Sequence, residues 1–317
     1  MTWFEFPFWI ALLASSLRLA TPLILASMGG YFSEKSGVIN IGLEGLMLTG
    51  AFAAAIANFA TGSPMIGVIS GVMASATLAF LYAISCVTLK SNQVVAGMAI
   101  NILAYGLTPL LSNVFYGTTG STPSIEMVNH MQEWRIPILS SIPIIGDILG
   151  HHIFLVYLAI LSVFVIHYWS SRFPSGLSLR AVGEHPEAAD SLGISVAKTR
   201  YMGVIMSGVF CGLAGAFLSI GHASGFSRGM TSGRGYIALT ALIFGKWKPV
   251  PTLVACLLFG FTDALQIRMQ GVSIPPFGEI APQFVQMIPY IVTMVVLAGF
   301  VGKSSAPKAL GIPYSKQ

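Results

Sequence analysis

The sequence predicts an all-α fold, a polytopic membrane helix bundle, and three observations predict it. The chain of 317 residues is 55% hydrophobic and only 9% charged, whereas a soluble domain carries about 25% charge. Its apolar residues gather into runs of about 20, the length a helix needs to cross a hydrocarbon core. Its 34 glycines follow no collagen or linker period and suit close helix packing in lipid. One transmembrane domain over 1–317 is expected, with nine membrane elements, or ten if one is divided, arranged as two related halves with interrupted helices.

In chain order, the spans fall near 8–30, 39–60, 65–89, 92–115, 151–169, 201–222, 234–247, 250–267 and 284–301. The opening "MTWFEFPFWIALLASSLRLATPLILA" lacks the positive leading region of a secretory signal and is long enough to span, so it is read as a retained first helix. The second span opens on glycines and polar residues, which favours a start inside the membrane. The seventh is short for a bilayer and reads as a broken or re-entrant element. The longest polar excursions are 116–150 and 170–200. Within the first, "IPILSSIPIIGDILG" is apolar but interrupted by Pro and Gly, and is expected to lie along the surface.

The net charge of +5 raises the question of nucleic acid, but the basic residues are scattered and form no aromatic-basic patch. Topology accounts for them. With 170–200 cytoplasmic, alternation places Lys35, Lys90, Arg172, Arg180, Lys198, Arg200, Lys246, Lys248, Lys303, Lys308 and Lys316 on that side, 11 of the 16 basic residues. The positive-inside rule then makes 116–150 external. Trp169 and Trp247 fall at the inner interface. Cys86, Cys211 and Cys256 have no metal-ligand spacing, and His130, His151 and His152 read as interfacial histidines.

Polar groups inside apolar runs mark the candidate path. Asn40 and Glu44 are four apart and share a helix face; Asp263, Gln266 and Gln270 share another. Such groups turn toward a bundle interior or a water-filled route. Asn101, Tyr105, Tyr236 and Thr240 add hydrogen-bonding and aromatic surface of the kind a sugar or nucleoside needs. Packing between helices remains open for Glu44 and Asn40, and Arg18 is a conceivable ion-pair partner for Glu44. "GVINIGLEGLM" from Gly37 also echoes "GRGYIALTALI" from Gly233, which places Asn40 and Tyr236 at equivalent positions. Repeat-built transporters put interrupted helices at such places.

The stretch "SLRAVGEHPEAADSLGISVAKTRYMG" differs from its surroundings. Pro186 and the acidic groups beside it suit a helix start, Gly193 closes that short helix, and Ser195 caps the next. A compact knob at the membrane surface is expected.

Three blocks carry a family resemblance: "SGVINIGLEGLMLTGAF", "LRAVGEHPEAADSLGISVAKTRYMGVIMSGVFCGLAGAFLSI" and "GRGYIALTALIFGKWKP". Across essentially its whole length the chain resembles permease subunits of ATP-binding cassette (ABC) importers, in the branch serving simple sugars, nucleosides and branched-chain amino acids. The late block looks nucleoside-like. The resemblance implies an inner (plasma) membrane protein of a bacterium or archaeon. It would work with an ATP-binding cassette ATPase subunit, a second permease and an external substrate-binding protein. It also implies an ATPase-coupling region at 178–200, in which Gly183, Glu184, Pro186, Ala188, Ala189, Gly193 and Ile194 match the motif. His185 stands where relatives more often have Asn.

No "GxxxxGK[ST]" loop, nucleophile elbow or zinc motif is present, so the chain is read as a transport subunit, not an enzyme, with no cofactor of its own and ATP hydrolysed by the partner. A lone membrane carboxylate without a partner acid, His or metal set is poor ground for chemistry. A branched-chain amino acid permease, an ion-coupled carrier built on Glu44 or Asp263, a channel and a membrane scaffold are the rival readings.

Overall fold

The first helix, α1 (Phe6–Lys35), runs through the centre of the bundle and is 30 residues long, about 45 Å at 1.5 Å per residue. The structure is a computed structural model that describes residues 6–118, 120–124, 130–135, 145–270 and 306–315, with isolated positions between 273 and 295. After α1 come α2 (Leu43–Thr61), α3 (Pro64–Ala83), which runs on through a π-helical turn at Ile84–Thr88, and α4 (Gln93–Tyr116). A five-residue helix α5 (Ile145–Leu149) and a two-stranded ribbon of β1 (Glu133–Arg135) with β2 (His151–Ile153) follow. Of the apolar surface stretch expected at 136–150, residues 136–144 lie outside the described residues and α5 falls within the rest. Next are α6 (Phe154–Arg172), α7 (Pro174–Glu184), α8 (Pro186–Ser191) and α9 (Val196–Ala216), the last continued by a π-helical turn at Phe217–His222. The chain then forms α10 (Arg234–Phe244) and α11 (Pro249–Met269).

The fold is an all-α polytopic bundle, and seven helices among the described residues are long and apolar enough to cross a membrane. The short seventh element is α10, at 11 residues; about 16 Å of helix cannot cross a 30 Å core. The second span starts at Leu43, not 39, because residues 36–42 are not helical. The ninth expected span, 284–301, lies largely outside the described residues.

The packing has a two-part symmetry. α1, a break, α2 and α3 form one series; α9, a break, α10 and α11 form the other. α1 packs on α10 and α11 of the second series, α9 packs on α2 and α3 of the first, and α1 crosses α9 between them. Small residues allow these approaches. A Cβ on Gly29 would lie 2.9 Å from the Ser207 carbonyl, and one on Gly212 would lie 2.6 Å from Val72 Cα. Lipid tails are as apolar as leucine, so helix association rests on such contact rather than on transfer from water.

Candidate functional site

The two breaks bring the membrane's polar groups together. At the first, α1 ends and Gly37 adopts φ +93°, a left-handed conformation that costs glycine little. The unwound backbone then needs partners, because lipid offers none. Gln93 Oε1 accepts from the Ile39 N–H at 2.8 Å, the Tyr82 hydroxyl reaches the Ile39 carbonyl, and Ser33 Oγ donates to Val38 O at 2.9 Å. Asn101 Nδ2 donates to Ile41 O at 3.0 Å while its Oδ1 accepts from Gly45 N at 2.8 Å, so one amide caps the start of α2.

The second break is closed from across the bundle. Gly233, at φ +81°, precedes α10. Glu44 on α2 is fully buried. Its Oε1 accepts from Gly233 N at 2.8 Å and from the Tyr105 hydroxyl at 3.0 Å, and its Oε2 accepts from Gly235 N at 2.7 Å. A carboxylate thus sits on the N-terminus of α10, where free N–H groups and the helix dipole favour negative charge. Gly235 makes the approach possible: a Cβ there would stand 2.5 Å from Glu44 N. Asn101 joins the two breaks, since Nδ2 also donates to the Tyr236 hydroxyl at 2.8 Å.

Four expected path residues, Glu44, Asn101, Tyr105 and Tyr236, therefore form one connected group. Tyr236 is 43% exposed and Tyr105 half-buried, while Glu44 and Asn101 are enclosed. The others lie elsewhere. Asn40 is fully buried and donates to Ser207 Oγ on α9 at 2.7 Å, so it faces inward and not the side that Tyr236 presents. Thr240 bonds the Tyr236 carbonyl one turn back at 2.9 Å. Asp263 and Gln266 are half-buried on α11 and take no part in the group. Arg18 is not the partner of Glu44; it is exposed and lines a separate cleft of about 270 Å³ with His222 and Arg268. Among the described residues no group of three His, Cys, Asp or Glu is placed to hold a metal.

The second candidate region is the knob expected at 178–200. α7 and α8 meet at His185, Pro186 stands in the first turn of α8, Gly193 turns the chain at φ +82°, and Ser195 Oγ accepts from Lys198 N at 3.4 Å to start α9. α7 has no counterpart in the sequence reading. The motif residues divide by burial. Gly183 and Ala189 face inward; Ala189 is 2% exposed and packs with Val182 and Val196, and a Cβ on Gly183 would strike the Lys35 carbonyl. Ala189 is thus a packing residue here and offers a partner no surface. Glu184, Pro186 and Ile194 are half-buried, and His185, Ala188 and Gly193 are exposed. Beside them Leu192 is 82% exposed.

Comparison with known proteins places the chain in a family. Residues 12–297 match the family model described as branched-chain amino acid transport system / permease component. The chain belongs to that family. Among relatives, the guanosine ABC transporter permease protein NupQ of Bacillus subtilis is 40% identical over 309 residues, 95% of each chain. The nucleoside ABC transporter permease protein NupC of Lactococcus lactis is 39% identical over 96% of each chain. The guanosine ABC transporter permease protein NupP, also of Bacillus subtilis, is 25% identical over 90% of this chain and 80% of its own. The chain is therefore a multi-pass, inner-membrane permease subunit of an ABC importer. It is a transport subunit rather than an enzyme, and its architecture implies a separate ATPase and a substrate-binding component.

Several residues that organise the site went unread in the sequence. Glu34 is 2% exposed and accepts from the Trp247 indole N–H, tying the end of α1 to the turn between α10 and α11. Trp247 is consequently buried rather than set in an interfacial belt. Gln93 and Tyr82 hold the first break, and Arg200 is a buried guanidinium. Glu34 and Gln93 stand next to charged or polar residues at span ends, where a solvated side chain is the ordinary expectation.

Proposed function

We propose that this subunit forms half of a translocation path for nucleosides, its other wall coming from a second, different permease. The observation that carries the reading is the near full-length similarity to permeases named for guanosine and for nucleosides. The chain also resembles both NupQ and NupP of one organism, at 40% and 25% identity, which supports a pair of unlike permeases. Chemistry points the same way. Tyr236 and Tyr105 present aromatic rings with hydroxyls, groups that stack on a base and bond sugar hydroxyls.

Glu44 already accepts three hydrogen bonds, which leaves it poorly placed to receive the ammonium of a branched-chain amino acid. The same commitment weighs against an ion-coupled carrier built on Glu44. Glucose remains the nearest rival solute, and competition separates the two. In proteoliposomes holding the full complex, Tyr236→Ala should lower guanosine uptake about tenfold, the scale of one lost base–aromatic stack, while binding-protein affinity stays unchanged. Equal loss for every solute with poor assembly would assign Tyr236 to packing instead.

The knob is the proposed ATPase contact, with exposed Leu192 as its apolar anchor and Glu187 and Ala188 beside it. Leu192→Asp would place a charge in that contact, where desolvation is costly. ATPase co-purification should fall while the membrane fold is kept. Undiminished association would move the contact away from α8.

A further inference from the structure

We propose that residues 306–315 form a strap which, pinned by the Arg200 side chain, locks the α7–α8 knob to the unwound stretch between α1 and α2, so that the two move as one body during transport. This rests on the knob being where the ATPase acts.

The strap bonds both parts through its own backbone. Ala309 N donates to Gly183 O in the knob at 2.9 Å, and two residues on, Gly311 N donates to Gly37 O in the break at 3.1 Å. Its ends add side-chain links: Lys308 N lies 3.4 Å from Glu184 Oε2, and Tyr314 packs with Val182, Ala189 and Val196 and bonds Asp190. Ala309 is 5% exposed, and Leu310 packs against the main core. Gly311 takes φ +80°, and a Cβ there would stand 2.7 Å from Ile39. Hydrogen bonds weaken over a few tenths of an ångström. A strap bonded on both sides within three residues therefore cannot let the knob shift while the break stays still.

Arg200 holds this arrangement from α9. It is 2% exposed, and Nη1 donates to Ile312 O at 2.8 Å. The guanidinium also lies against the break: a Cβ on Gly37 would come within 3.0 Å of Nη2 and 3.2 Å of Ala309 O. Nε and Nη2 have no hydrogen-bond partner among the described residues. A buried, under-paired cation is expensive, and an apolar residue of similar size would pack the site at less cost. The planar fork offers what an apolar residue cannot: one donor fixed on the strap at Ile312 O while Nη2 lies against the break at Gly37, so that one rigid group spans both parts. Arg200 is in this sense a positioning residue for coupling and does not touch the solute.

The test uses the complete complex with Cys86, Cys211 and Cys256 replaced. Spin labels at Ser191 and Ile41 report the knob-to-break distance, and labels at Ser191 and Ser63 report the knob against the far end of the bundle. Between nucleotide-free and ATP-trapped states the first distance should change by no more than about 3 Å, half a helical pitch, while the second changes by more. A larger first change, or an unchanged second, overturns the strap.

In functional assays Arg200→Gln should keep ATPase co-purification and lower solute transported per ATP by roughly threefold to tenfold, with Arg200→Lys in between. An unchanged ratio overturns the proposal. If Arg200→Gln fails to assemble, the distances in the otherwise native chain decide. Leu192→Asp keeps the two readings apart: retained ATPase binding in that variant refutes docking at α8, whereas the distance pair judges the strap alone.

Discussion

Glu44 is bonded at both carboxylate oxygens, and that decides how its substitution will behave. Glu44→Gln turns one acceptor into a donor facing the amide N–H of Gly233 or Gly235, leaving a buried donor unmet at a cost of about 1–3 kcal/mol. Tyr105→Phe removes one of the three bonds and should cost about 0.5–1.5 kcal/mol. Thermal unfolding of the purified complex should therefore rank Glu44→Gln as the more damaging, and the opposite order would deny the cap its role. A buried carboxylate was legible in the sequence; its partners were not. Two of the three are backbone N–H groups of glycines 189 and 191 residues away, which carry no side chain to read, and the third is the Tyr105 hydroxyl; a cation such as Arg18 is the partner that charge alone suggests. Leu192 was missed for a related reason, since an apolar residue in an apolar chain announces nothing until its exposure is known.

At the scale of elements, the two interruptions were visible in the glycines that open both echoing stretches and in the shortness of the seventh element; Gly37 and Gly233 there take φ +93° and +81°. Where each helix begins was not visible. α2 starts six residues after Gly37 and α10 one residue after Gly233, so the aligned Asn40 and Tyr236 end in different environments. What fixes these starts is distant capping by Asn101 and Glu44, which local propensity does not encode. Close helix approach provides a paired prediction. Gly212→Ala would drive a methyl into the α3 backbone and should lower the yield of folded protein sharply. On α4, Gly106 has nothing within 4 Å of a built Cβ, so Gly106→Ala should be neutral or stabilise the helix by up to about 1 kcal/mol. Similar melting temperatures for the two variants would contradict the packing described between α9 and α3.

For the whole molecule, composition alone predicts a membrane bundle, and the two-series packing gives the weak internal echo a structural counterpart. Alternating crossings from α1 to α6 put α9 antiparallel to α1, the arrangement of an inverted repeat. Orientation follows from the scattered basic residues: Ser175 should be labelled by a thiol reagent only from the cytoplasmic side, and Ser124 from outside, once each is replaced by Cys. Both positions are exposed, whereas the three native cysteines are buried. Labelling of Ser175→Cys in intact cells by an impermeant reagent would reverse the topology.

The most direct measurement is radiolabelled guanosine uptake into proteoliposomes containing the complete complex, with ATP on the knob side and no ion gradient. Uptake should require ATP, the ATPase subunit and the binding protein together, and excess unlabelled adenosine should compete where glucose and leucine do not. Uptake that persists without ATP and follows a proton or sodium gradient would contradict the ATP-coupled nucleoside path.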